Sequence, residues 1–193
     1  MKNLLQIAII VTLLFACKNE PKKEVKDEHQ HHKVEKKETS KKKVLSPHTY
    51  AMEMVGDAHI HIDYSSPGVR GRMIFGGLLA YDEVWQSGAH KATWLETNKD
   101  LLIDGKTLKA GKYGVFTIPS KKDWTVIFNI NWNQHGKDEY DEKDDVLRFK
   151  VTPELSDKIT EHLIYKVKKT NDTQGTISLS WEKATIRFPF QIQ

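Results

Sequence analysis

The residues best equipped for chemistry are histidines set at a strand's spacing. In DAHIHIDY, residues 57–64, His59, His61 and Asp63 alternate with Ala58, Ile60, Ile62 and Tyr64. Alternate residues of a strand project from one face about 6.5–7 Å apart, so two imidazoles and a carboxylate there can converge on one ion. His90 or His135, from elsewhere in the chain, would complete the set, and zinc or copper suits such ligands. The same alternation describes the solvent face of a half-buried strand, and both readings stay open. A looser trio, His29, His31 and His32, lies in a charged segment. It could hold copper or zinc weakly, or simply be polar.

Aromatic residues give a second signal. Trp85, Trp94, Trp124, Trp132 and Trp181 are many for one domain. Trp124 and Trp181 fall in alternating segments and read as core, whereas Trp85 and Trp132 sit in loop-like sequence and could line a pocket. The segment EVWQSGAHKAT, residues 83–93, joins an aromatic ring, a glycine bend and two titratable groups. Arg72 lies in the same long stretch between the first two strands. Arg72, Trp85, His90, Lys91 and Trp132 are therefore the candidate ligand-binding set. The loop NWNQHGKDEYDEKDDV, 131–146, carries six acids, but not at a calcium loop's spacing, and reads as solvated. No zinc-protease helix signature, nucleophile elbow, phosphate loop or paired-cysteine metal signature occurs.

These residues need a scaffold, and the period of the chain says which. After DAHIHIDY come ATWLET, LLIDGKTLKAGKYGVFTIP, DWTVIFNI, DVLRFKV, EHLIYKVKK, GTISLSWEK and TIRFPFQI. They make about nine short strands, with polar turns between them and no long helical period. Asp104-Gly105 is a strong hairpin signal. TPELSDKI, 152–159, would fit one helical turn. Pro189 predicts an edge or a bulge in the last strand. The expected fold is all-β, an antiparallel β-sandwich.

The start of the chain has a different composition. Lys2 precedes an apolar run from Leu4 to Ala16, too short for a bilayer-spanning helix. Leu14-Phe15-Ala16-Cys17 resembles the lipobox of bacterial lipoproteins. Residues 1–16 are thus read as a lipoprotein signal peptide, and Cys17, the only cysteine, as the acylated residue carrying palmitate-type chains into the membrane. Residues 17–45 read as a disordered Lys/Glu/His-rich tether and 46–193 as the folded domain. Residues 18–43 hold ten lysines and six acids, whereas residues 44–193 hold 19 basic and 20 acidic residues. The chain's net charge of +4 therefore belongs to the tether and leader, and a nucleic-acid partner is not expected. The expected location is the bacterial cell envelope, anchored at the outer membrane on its periplasmic or surface face.

Three blocks carry a family resemblance: DYSSPGVRGRMIFGGLLAYDEVWQSGAHKATWL, AGKYGVFTIPSKKDWTVIFN and QHGKDEYDEKDDVLRFKV. In order and spacing they resemble the bacterial family called Domain of Unknown Function 2911, over residues 46–192. Tyr64-Ser65, Pro67, Gly71-Arg72 and Phe75-Gly76 match its first block. Trp85, Gly88-Ala89 and Ala92-Thr93 match the second. Ala110-Gly111, Tyr113, Phe116, Ile118-Pro119 and Trp124 match the third. Departures fall at Ser66, Gln86, His90-Lys91 and His135. The resemblance implies an exported domain and settles no activity. The leading expectation is a non-catalytic domain binding a small molecule, a glycan or an envelope protein. The alternatives are a metal-dependent or hydrolytic enzyme using Arg72, His90 and Lys91, or a histidine-based zinc or copper protein.

Overall fold

The computed structural model describes residues 44–193; the leader, Cys17 and the tether histidines lie outside the described residues. Ten strands form two antiparallel sheets: β1 (His48–Val55), β2 (Ala58–Ser65), β3 (Thr93–Thr97), β4 (Leu101–Ile103), β5 (Lys106–Leu108), β6 (Gly111–Ile118), β7 (Trp124–Asn129), β8 (Asp145–Val151), β9 (Glu154–Lys169) and β10 (Gln174–Ile192). One sheet runs β1-β2-β3-β6-β7-β8 and the other β5-β4-β10-β9. One 3₁₀ turn, Glu142–Asp144, precedes β8. The architecture is consistent with the expected sandwich.

Alternation places the core. In β2, Ala58, Ile60, Ile62 and Tyr64 are buried and His59, His61 and Asp63 half-buried on the opposite face. Ile62, Leu95, Val126 and Phe128 of the larger sheet meet Tyr165, Ile177, Leu179 and Phe188 of the smaller around a void of only about 10 Å³. Each such side chain, fully buried, contributes roughly 1.5–3 kcal/mol relative to an exposed one. A void of that size, with a mostly apolar lining, holds no ligand. Any binding site among the described residues lies outside this seam.

Strand β7 is buried at every position and β6 from Tyr113 to Thr117, so the larger sheet is covered on both faces at its centre. The outer cover comes from two long loops, 66–92 and 130–144. Ala92, Phe116 and Ile127 form a second small core there with Val84, Ile118 and Tyr140. Trp85 continues the β3 line, exchanging two backbone hydrogen bonds with Thr117 at 2.8 and 2.9 Å. The acidic loop is therefore not simply solvated: Tyr140 packs on Phe116 with ring centroids 5.0 Å apart.

The sequence reading differs from the structure in four further places, the first being that GTISLSWEK and TIRFPFQI form the single bulged strand β10. A tenth strand, β1, precedes DAHIHIDY and pairs with it along its full length. Residues 154–159 open β9 instead of turning as a helix, because Glu154 and Leu155 are claimed by Thr185 and Ala184 of β10. Pro189 belongs to a strand lying between two others. It is tolerated because the ladder to β9 ends at Thr185 and that to β4 starts at Gln191, so its missing N–H serves neither. The Asp104-Gly105 hairpin is as expected, both residues having positive φ (50° and 72°).

Candidate functional site

Where the outer cover stops, a cleft of about 310 Å³ opens, lined from β1 by His48, from β2 by Asp63 and Ser65, from the 66–92 loop by His90 and Lys91, and by Trp94, Trp132 and Asn133. Its size is at the lower end for small-molecule sites. The Trp94 and Trp132 rings are 6.2 Å apart and steeply inclined, at 65°. The Lys112 ammonium lies 3.4 Å from the Trp94 centroid and 3.8 Å from that of Trp132, a double cation–π contact. The wall stands there because Gly114, opposite Trp94 in the ladder, has no side chain. A Cβ at Gly114 would lie 2.8 Å from the Phe116 ring and 3.3 Å from the Asn131 carbonyl oxygen and Trp132 Cα. Across the cleft, His48 Nε2 meets Asp63 Oδ1 at 2.9 Å.

Buried polar groups fix the loops that supply these side chains. Ser87 is wholly buried and has φ 53°. Its hydroxyl donates to Thr117 Oγ1, and its carbonyl accepts from Thr93 Oγ1 and the Tyr165 hydroxyl. Burial pushes the Tyr165 phenol well above its ordinary value, so it remains a donor. The second loop is zipped to the first: Ala92 N donates to Gln134 O, Gly136 N donates to His90 O, and Lys91 bridges His135. Gln134 is buried and braces its own loop, donating from Nε2 to Asn131 O and accepting from Glu139 N. At its far end Asp145 accepts from Asn129 Nδ2, the Tyr140 hydroxyl and Arg148. Burial raises the Asp145 carboxyl above its ordinary range, against the pull of those donors.

Of the candidate ligand set, His90, Lys91 and Trp132 line this cleft and Arg72 and Trp85 do not. Trp85 is 4% exposed and stacks on Trp181 at 5.6 Å, with its indole N–H bonded to Gly88 O. The Arg72 guanidinium donates to the carbonyls of Val69 and Gly68, closing its own turn. His59, His61 and Asp63 share a face as the alternation predicts, yet Asp63 turns to His48, and His135 turns to Asp138 at 3.1 Å. Among the described residues, no three His, Cys, Asp or Glu side chains gather as a metal site would need. His48, Trp94 and Asn133 complete the cleft without having been singled out. Only the alternation of β1 and β3 could have pointed to the first two.

Residues 46–190 match the family described as Protein of unknown function (DUF2911). The chain belongs to that family. Neither the curated proteins nor the solved structures gave a match. The DUF2911 description names no activity, so the cleft's chemistry must speak for itself. Within this DUF2911 domain, His90, Lys91 and His135, three of the departures from the resembled pattern, come together where the loops zip. Asp63 is the one carboxylate lining the cleft, and it is held by His48. Glycoside hydrolysis by the usual route takes two carboxyl groups about 5–9.5 Å apart. The lining offers indole surface, two imidazoles, an amine, an amide and a carboxylate, that is, hydrogen-bond donors and acceptors beside apolar rings.

Proposed function

We propose that this chain is a lipid-anchored envelope protein whose folded domain binds a saccharide without transforming it. The supporting observation is the meeting of two indoles with hydrogen-bonding groups of both kinds in one cleft. Trp132 and the rim of Trp94, whose ring already carries Lys112 and His61, offer apolar surface against which the C–H faces of a sugar pack. Lys91 donates, Asp63 accepts, and His48, His90 and Asn133 can do either, which suits hydroxyl groups. The residues come from rigid strands and two pinned loops, so little ordering cost falls on binding. The anchor rests on the run into Cys17 alone.

Calorimetric titration with neutral and acidic mono- and disaccharides tests the binding. At least one sugar should bind, and Trp132→Ala should weaken it by about tenfold, as expected for one lost aromatic anchor. No heat with any sugar, or an unchanged affinity in the variant, would sink the reading; release of a hydrolysed product would remove its non-catalytic part. For the anchor, Cys17→Ser should abolish membrane association in fractionation, and unchanged association would refute it.

A further inference from the structure

Strand β1 is amphipathic the wrong way round. Its outward positions are Tyr50, Met52 and Met54, exposed by 60, 54 and 46%, whereas Thr49, Ala51 and Glu53 point inward and are half-buried. Edge strands normally carry charge or proline on such positions, and β1 is the edge of its sheet. The neighbouring strand explains the choice. In the β1–β2 register Met52 lies opposite His61, and Met54 opposite His59. A Met-x-Met pair thus faces a His-x-His pair on the outer surface, with directly opposed Cβ atoms about 4.5–5.5 Å apart.

The two imidazoles are placed for one ion. Their centroids are 6.0 Å apart. A metal about 2 Å from a ring nitrogen lies ~3 Å from that ring's centre, so two ligating rings on one ion sit ~5–6 Å apart. His61 is held by stacking on Tyr50 at 5.4 Å and Trp94 at 5.1 Å, contacts made through its ring faces. The rings of His48 and His135 are bonded to carboxylates; among the described residues neither His59 nor His61 has such a partner. Asp63 is bonded to His48 and Glu96 faces His61 from β3, yet among the described residues no carboxylate gathers with the two imidazoles as a third ligand, so the donors that complete the set are thioether sulfurs. Thioethers are soft ligands that select Cu(I) and do little for zinc, magnesium or calcium.

We propose that Met52, Met54, His59 and His61 form a copper(I) site on the outer face of β1 and β2. It shares no residue with the saccharide cleft, which it adjoins where His61 stacks on Trp94, and the two readings are tested with different ligands and different variants, so each can fail without the other. The experiment uses the full chain and Cu(I) alone, titrated anaerobically against a chromophoric Cu(I) chelator. Cys17 and the tether histidines are present in every sample, so the comparison between variants isolates the site. The paired substitution Met52→Leu with Met54→Leu conserves volume at exposed positions and should leave the melting temperature unchanged. It should weaken one equivalent of bound Cu(I) by at least about tenfold, the scale of a lost ligand or its support. With ¹³C-methyl methionine and Ag(I) as a redox-inert probe, the Met52 and Met54 methyl signals should move and that of Met73 should not. Wild-type Cu(I) affinity and stoichiometry in the paired variant would overturn the proposal. So would a site abolished by His59→Ala and His61→Ala but indifferent to the methionines, or movement of Met73 together with the other two.

Discussion

The tryptophans of the inner seam and those of the outer face are the same residue type under opposite constraints. Trp85, Trp124 and Trp181 are each less than 5% exposed and gather around Phe75, with ring centroids 6.2, 4.6 and 6.1 Å from it. Trp94 and Trp132 are half-buried, bracket a lysine ammonium and border a cleft. The inner group supplies area removed from water. The outer group keeps ring surface at the boundary and has a cation to hold it in place. Burial and not residue type separates scaffold from site, and on this chain burial is decided by which loop folds over which strand.

Trp85→Ala breaks that comparison most severely. It should cost about 3–5 kcal/mol, read as a fall in the denaturation midpoint, whereas Trp132→Ala should cost less than about 1 kcal/mol. Similar losses for the two would mean that the outer indole is structural as well. Next in size is Asp145→Ala, which strips the acceptor from Asn129 and from the Tyr140 hydroxyl and should cost about 2 kcal/mol in chemical denaturation. The buried carboxyl also carries a pH signature. Its folded pKa is raised above the unfolded value near 4, so ionising it disfavours the folded state, and stability falls as pH rises from about 4 through the raised value. Asp145→Asn should remove that fall; an unchanged slope would show that Asp145 is solvated. The smallest effect belongs to Lys112→Met. Losing the double cation–π contact should cost about 0.5–1 kcal/mol, a drop in melting temperature of about 1–4 °C. A larger drop would make Lys112 part of the scaffold.

The sequence made the strands legible wherever one face was apolar and the other polar. In β2 every position faces the way its alternation says, and Trp124 and Trp181 are core for the same reason. It misled where that rule is inverted or bypassed. Strand β1 was hidden because its outward residues are the more apolar. Trp85 looked like a pocket residue because its segment has no strand period. Its burial comes from bonding to Thr117 and stacking on Trp181, contacts more than thirty positions away. Half of the candidate site was therefore visible. His90, Lys91 and Trp132 announced themselves as polar or aromatic groups in loops, whereas Asp63, open between solvent face and metal ligand by its alternation, and His48 become cleft residues only through the β1–β2 pairing.

The indole N–H signals of the five tryptophans test the central claim, that the outer face of the larger sheet is the binding surface, in one titration. In a ¹⁵N–¹H spectrum of the full chain, adding a saccharide that binds should shift the Trp94 and Trp132 signals and leave Trp85, Trp124 and Trp181 in place. Trp85 and Trp124 donate to the carbonyls of Gly88 and Ser120 within the fold and have no reason to respond. Shifts confined to the buried three, or binding that leaves Trp94 and Trp132 unmoved, would contradict the account.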